Sequence, residues 1–263
     1  MYLTDYHTHT KISPDSSAPL SAMAQAAADA GLQELCVTDH VDLLGPFGEP
    51  LTEYSWTDSL AQFDETVPAF QGRLKLKLGV ELGVPHIDPV LTAKILSQPR
   101  LDFVIGSIHN LSPVRGGGDF YYVDYRDLNA CYEALDDYFA SMATLVQTDY
   151  YDVLGHIIYP LRYMPMEVPL DAYWERMEPI FRIAAERGHG IEVNTYRGKT
   201  IADWKPVLEL YKACGGEIVT VGSDAHAPQD MGGGIADACR LMADTGFRYL
   251  ATYTGRKPEF HKL

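Results

Sequence analysis

The sequence predicts an α/β chain whose short parallel strands alternate with helices and close into a barrel. Two observations predict it. Short apolar, β-branched runs recur, each followed by a loop and a helical stretch, which is the order of successive βα units on a parallel sheet. Most of these runs also end in a histidine or an acid, and the C-terminal strand ends of such a barrel share one face, where active sites lie. A length of 263 residues suits a single domain spanning 1–263.

The first strand is predicted over residues 3–6, ending at His7 and His9. In extended backbone, residues i and i+2 point to one side, roughly 6.6 Å apart, so both imidazoles can meet one metal. A polar loop carrying Asp15 follows, then an alanine-rich helix over 20–30 that Gly31 stops. Residues 34–38 form the second strand, ending at Asp39-His40, and a loop over 41–55 contains Asp42. After a helix over 57–70, the third strand (74–82) carries Glu81, a carboxylate inside an apolar run that is costly to bury without a partner.

A helix over 89–96 leads to the fourth strand, 103–108, which ends at His109. The loop over 110–124 holds Arg115, three glycines and three aromatics, a length and placement suited to substrate contact. After a helix over 128–148, the fifth strand (152–155) ends at His156, with Arg162 just beyond. A helix over 173–187 precedes the sixth strand, 190–194, after which comes Arg197. A helix over 204–213 and a seventh strand over 218–222 lead to Ser223, Asp224 and His226. The last helix is expected over 230–245, followed by a short eighth strand over 249–253 and a polar tail.

The formal net charge is −15, with no cluster of lysine or arginine. That balance argues against nucleic acid and anionic membrane as partners, but leaves open a small phosphorylated substrate if cations reverse the sign locally. Cys36, Cys131, Cys214 and Cys239 form no Cys-x-x-Cys pair and read as reduced thiols of a cytoplasmic protein. No signal-peptide pattern and no membrane-length apolar run are present.

Six of nine histidines, His7, His9, His40, His109, His156 and His226, fall at ends of predicted strands together with acids, whereas His86, His189 and His261 do not. Such an assembly calls for cations, and is larger than the roughly four ligands of a closed structural site. Mixed nitrogen and oxygen donors suit zinc, iron or manganese.

His7-Thr8-His9, Thr38-Asp39-His40, Gly79-Val80-Glu81, Gly106-Ser107-Ile108-His109, Gly155-His156 and Ser223-Asp224-Ala225-His226 resemble the motifs of the polymerase-and-histidinol-phosphatase (PHP) family. The resemblance runs from residue 2 to about 255, and within the family is greatest to stand-alone histidinol-phosphatases. It implies a distorted (β/α)7 TIM-like barrel with three divalent ions. His7, His9, Glu81 and Asp224 would hold the first ion. Glu81, His109 and His156 would hold the second, with Glu81 bridging, and Asp15, His40 and His226 the third. The implied activity is metal-dependent phosphomonoester hydrolysis, of L-histidinol phosphate in histidine biosynthesis, by attack of metal-activated hydroxide. Arg162 and Arg197 would fork the phosphate, with Arg115, Ser223 and Asp42 as further substrate contacts. His226, Asp15 and Asp42 are the candidates for protonating the leaving alkoxide. Alternative readings are another phosphoesterase of the same family, acting on nucleotides, a phosphodiester or phosphotyrosine; an amidohydrolase-like C–N hydrolase; and a non-catalytic polymerase module. Glu81 and His109 at the third and fourth strand ends weigh against the amidohydrolase reading, and the intact ligand set against the module.

Overall fold

The computed structural model describes residues 1–263. Its parallel strands are β1 (Thr4–Asp5), β2 (Glu34–Val37), β3 (His40–Asp42), β4 (Lys75–Gly83), β5 (Phe103–Ser107), β6 (Val153–Leu154), β7 (Gly190–Asn194) and β8 (Val219–Gly222). They lie in the order β1-β2-β4-β5-β6-β7-β8, with β3 also pairing on β4. Main-chain hydrogen bonds from Tyr6 to Val221, Asp224 to His7 and His9 to Ala225, each 2.9 Å, carry β8 back to β1 and close the ring. The barrel therefore has seven staves, one of them (β2 and β3) interrupted at Thr38 and Asp39. Strands β2, β5, β7 and β8 are buried along their whole length, which explains their near-continuous apolar sequence.

Around the ring stand α1 (Leu20–Asp29), α2 (Thr57–Phe70), α3 (Pro89–Leu96), α4 (Leu128–Leu145), α5 (Trp174–Glu186), α6 (Trp204–Ala213) and α7 (Ile235–Asp244). Local chemistry sets several of their ends. The Asp88 carboxylate accepts from the Val90 and Leu91 N–H groups and Pro89 opens α3, while Asp127 accepts from Ala130 at the start of α4. The main core packs these helices against the outside of the sheet.

Three expectations are corrected. The predicted 41–55 loop follows a strand the sequence did not disclose: His40, Val41 and Asp42 pair with Glu81, Leu82 and Gly83. A three-residue strand with two polar members has too little apolar pattern to be read, and forms because β4 is long enough to receive it. The helix expected from residue 230 starts at Ile235, because Gly232 and Gly234 take φ of 72° and 76°, outside the helical region. The expected eighth strand is not a stave. β9 (Tyr249–Thr254) pairs antiparallel with β10 (Lys257–Lys262), where a polar tail is predicted.

This hairpin stops the N-terminal end of the barrel. Ala251 and Tyr253 pack with Tyr6, Cys36, Phe103, Ile105 and Val153. Its turn is tied to strand beginnings: Gly255 N–H and Arg256 N–H donate to Asp102, and the Arg256 guanidinium pairs with Asp152 at 3.0 Å. With the floor sealed, the opposite end remains for the site.

Candidate active site

Glu81 occupies the centre of the C-terminal face. It is fully buried on β4, and parallel register sets it beside His40 on β3. Its Oε1 lies 2.8 Å from His156 Nε2 and 3.0 Å from His109 Nε2. Its Oε2 lies 2.9 Å from His40 Nδ1, 3.1 Å from His7 Nε2 and 3.5 Å from His9 Nε2. Asp224, held at φ 60° after β8, sets Oδ1 3.7 Å from His7 Nε2 and 3.6 Å from His9 Nε2. Non-glycine backbone rarely takes that conformation, and the hydrogen bond from Asp224 N–H to His7 O helps maintain it. On the open side, Asp15 Oδ2 is 2.9 Å from His226 Nε2 and 3.6 Å from His40 Nε2. All nine residues predicted as ligands thus converge. Their atoms fall into groups within 4.8 Å: His7 with Glu81 and His156, His7 with His9 and Asp224, and His9 with His40 and His226. A further group, His40 with Asp42 and His109, brings in Asp42, which is predicted as a substrate contact.

The electrostatics show a cluster short of positive charge. Burial alone would lower His7, but Glu192, Glu81 and Asp224 outweigh it and hold that imidazole well above the usual range. Burial likewise opposes the charge on His109, yet Glu81 and Asp42 bring it up to about 10. Burial, then His40 and His226, drive His9 well below that range. Against burial, neighbouring histidines hold Glu81 and Asp224 well below the carboxylate range. His7 Nε2, His9 Nε2, His40 Nδ1 and Glu81 Oε2 are buried without a hydrogen-bond partner although they face one another. Lone pairs turned inward on a buried carboxylate and several imidazoles fit divalent cations.

A surrounding layer of polar groups aims the rings. Asp42 Oδ1 accepts from His109 Nδ1 at 2.8 Å. His9 Nδ1 donates to Ser13 Oγ at 3.1 Å, and Ser13 donates to Asp39 Oδ1 at 2.8 Å. Asp39 therefore acts on His9 through Ser13, and its oxygens also take the Thr10 N–H and hydroxyl. His7 Nδ1 meets Glu192 Oε1 at 2.6 Å. The sequence reading passes over Ser13, Glu192 and Asn194. Glu192 had a visible signal, a carboxylate two residues before the end of an apolar strand, as at Glu81.

A cleft of about 560 Å³ opens above the cluster, walled by Asp15, His40, Asp42, Arg162, Arg197 and His226 with Tyr121, Tyr122, Tyr159, Tyr163 and Tyr196. Arg162 is anchored: Nη1 donates to Asp224 Oδ2 at 2.8 Å, Nη2 to Asn194 Oδ1 at 2.6 Å, and the guanidinium lies 4.4 Å from the Tyr196 ring centre. Arg197 takes φ 60° and approaches His226 Nδ1 with Nη2 at 3.4 Å. Two expected substrate contacts are placed elsewhere. Ser223 is fully buried, its N–H on Asp5 Oδ1, and does not line the cleft. Arg115 sits over a neighbouring depression and pairs with Glu133 at 3.3 Å, because its loop folds back on α4. Asp42 does line the cleft, with one oxygen committed to His109.

A family model described as the PHP domain matches residues 5–196. The chain belongs to the PHP domain family. Curated relatives match nearly the whole chain, beyond the segment covered by the family model. The histidinol-phosphatase of Lactococcus lactis is 29% identical over 98% of this chain and 97% of its own. A probable histidinol-phosphatase of Deinococcus radiodurans is also 29% identical, over 97% and 98%. Among solved structures, the Lactococcus lactis histidinol phosphate phosphatase complexed with zinc, L-histidinol and phosphate superposes with a TM-score of 0.82, at 27% identity over 98% of both chains. A solved structure from Listeria monocytogenes shares the fold, with a TM-score of 0.75 at 17% identity over 90% of this chain and all of that one.

Proposed function

We propose that this chain, acting as one domain over residues 1–263, is a metal-dependent histidinol-phosphatase that converts L-histidinol phosphate and water to L-histidinol and phosphate. The observation that carries the reading is the convergence of nine histidine, aspartate and glutamate side chains beneath and beside one cleft that also holds two arginines. Full-length similarity to a structure complexed with zinc, L-histidinol and phosphate supports the substrate. Three ions would be held by His7, His9, Glu81 and Asp224; by Glu81, His109 and His156; and by Asp15, His40 and His226. Zinc, iron or manganese suits these donors. Bound divalent ions in such a site lower the pKa of water toward neutrality and offset charge on the phosphoryl oxygens.

The chain's own groups do the rest. Arg162 and Arg197 bind the phosphoryl oxygens, and because Asp224 and Asn194 already fix Arg162, its fork needs little reorganisation on binding. Asp42 keeps His109 Nε2 directed at Glu81. His226 Nε2 and Asp15 Oδ2 meet at the cleft mouth, where with His40 they would hold the third ion facing the bound phosphate ester. A reducing cytoplasmic setting suits four buried, unpaired cysteines, and no helix is long and apolar enough to cross a membrane.

The test is turnover of a panel by metal-supplied protein: L-histidinol phosphate, p-nitrophenyl phosphate, a nucleotide, phosphotyrosine and a phosphodiester. The expected kcat/KM for L-histidinol phosphate exceeds the others on the order of 100-fold. Equal rates across the panel would remove the substrate assignment.

A further inference from the structure

Glu192 is a buried carboxylate with no lysine or arginine beside it; its ion-pair contact is the His7 imidazole. A carboxylate so placed is costly unless its oxygens are engaged. One oxygen meets His7 Nδ1 at 2.6 Å and the Asn194 amide at 3.2 Å, and the other accepts the His156 main-chain N–H at 3.0 Å. The carboxylate therefore joins the ends of β1 and β6 from its position on β7. The packing around it leaves no spare room. A Cβ at Gly222 would lie 2.4 Å from Glu192 Oε1 and 2.3 Å from His7 Cβ, so β8 has no side chain at that point.

We propose that Glu192 is a positioning residue that holds His7 as its Nδ1–H tautomer, leaving the Nε2 lone pair for metal beside Glu81 and Asp224. The inference rests on the metal-site reading above. A carboxylate accepts both from the His7 ring and from the His156 N–H. A glutamine amide cannot: with its oxygen on one donor, its N–H₂ faces the other. If the amide oxygen takes the His156 N–H, the amide donates to His7 Nδ1 and favours the tautomer that blocks Nε2. Second-layer partners of this type typically affect metal affinity by 10–100-fold.

The experiment compares zinc affinity, by competition with a chromophoric chelator, for the wild type, Glu192→Gln and Glu192→Asp, with circular dichroism as the control for folding. Zinc-loaded, ¹⁵N-histidine-labelled wild type reports the tautomer by long-range nitrogen–proton correlation, with His7 assigned by loss of its signals in His7→Asn. The expected results are Nδ1–H at His7, a zinc affinity about 10–100-fold weaker in Glu192→Gln, and partial recovery in Glu192→Asp. Folded Glu192→Gln with wild-type zinc affinity would overturn the proposal, as would an Nε2–H His7. Should Glu192→Gln not fold, the wild-type tautomer still decides. If the wild type binds no zinc, the metal reading fails and this proposal with it; zinc bound equally well by the wild type and by folded Glu192→Gln overturns this proposal alone.

Discussion

Glu81 faces five imidazoles with two oxygens, at separations from 2.8 to 3.5 Å. Glu81→Gln removes the charge while keeping the shape, and should lower kcat/KM by more than about 100-fold together with bound metal per chain. The two arginines should separate in kinetics. Arg197→Ala should mainly raise KM, on the order of 10-fold, by removing a charged contact to phosphate. Arg162→Ala should lower kcat as well and loosen metal binding, because it also leaves the Asp224 carboxylate without its 2.8 Å partner. Steady-state kinetics with elemental analysis checks all three. At this scale the sequence disclosed the residues at strand ends, where the pattern of apolar run then ligand is plain. It did not disclose groups that act through others. Ser13 looked like one of several loop serines, and Ser223 and Arg115 looked available for substrate because fold-back and burial leave no mark on sequence order.

The βα alternation was legible because most of the buried strands are largely apolar and several helices carry a visible end signal, Gly31 after α1 and the Asp88 and Asp127 caps of α3 and α4. The interrupted stave was not, since β3 draws its stability from the β4 edge rather than from its own residues. The terminal hairpin was missed for a related reason: β10 is mostly exposed and polar on its outer side, and nothing local marks it as a cover. Its inward residues nevertheless bear weight. Tyr253 is buried against Phe103 with ring centres 4.9 Å apart. Tyr253→Ala should cost on the order of 3 kcal/mol in urea unfolding of the metal-free protein, with metal stoichiometry of the folded protein unchanged. That combination would place the hairpin in stability rather than chemistry.

Charge couples the floor to the whole molecule. Burial pushes Asp152 up to about 6, while Arg256 and the Val104 N–H restrain the rise. Because the folded value stands above the ordinary 3.8, the protonated carboxyl favours the fold. This contribution is complete below pH 3.8 and is lost as pH rises through about 6. Wild-type stability relative to Asp152→Asn should therefore fall between these limits by about 3 kcal/mol and then level off, as read from urea midpoints at stepped pH. At the opposite end, the central claim is that the clustered side chains form a multi-metal phosphatase site. The most direct measurement is hydrolysis of L-histidinol phosphate by chelator-stripped protein as zinc or manganese is returned in known equivalents. Phosphate release should be absent from the stripped protein and should rise with added ion as the cluster fills. Full activity in the stripped protein, or no hydrolysis once metal is bound, would contradict it.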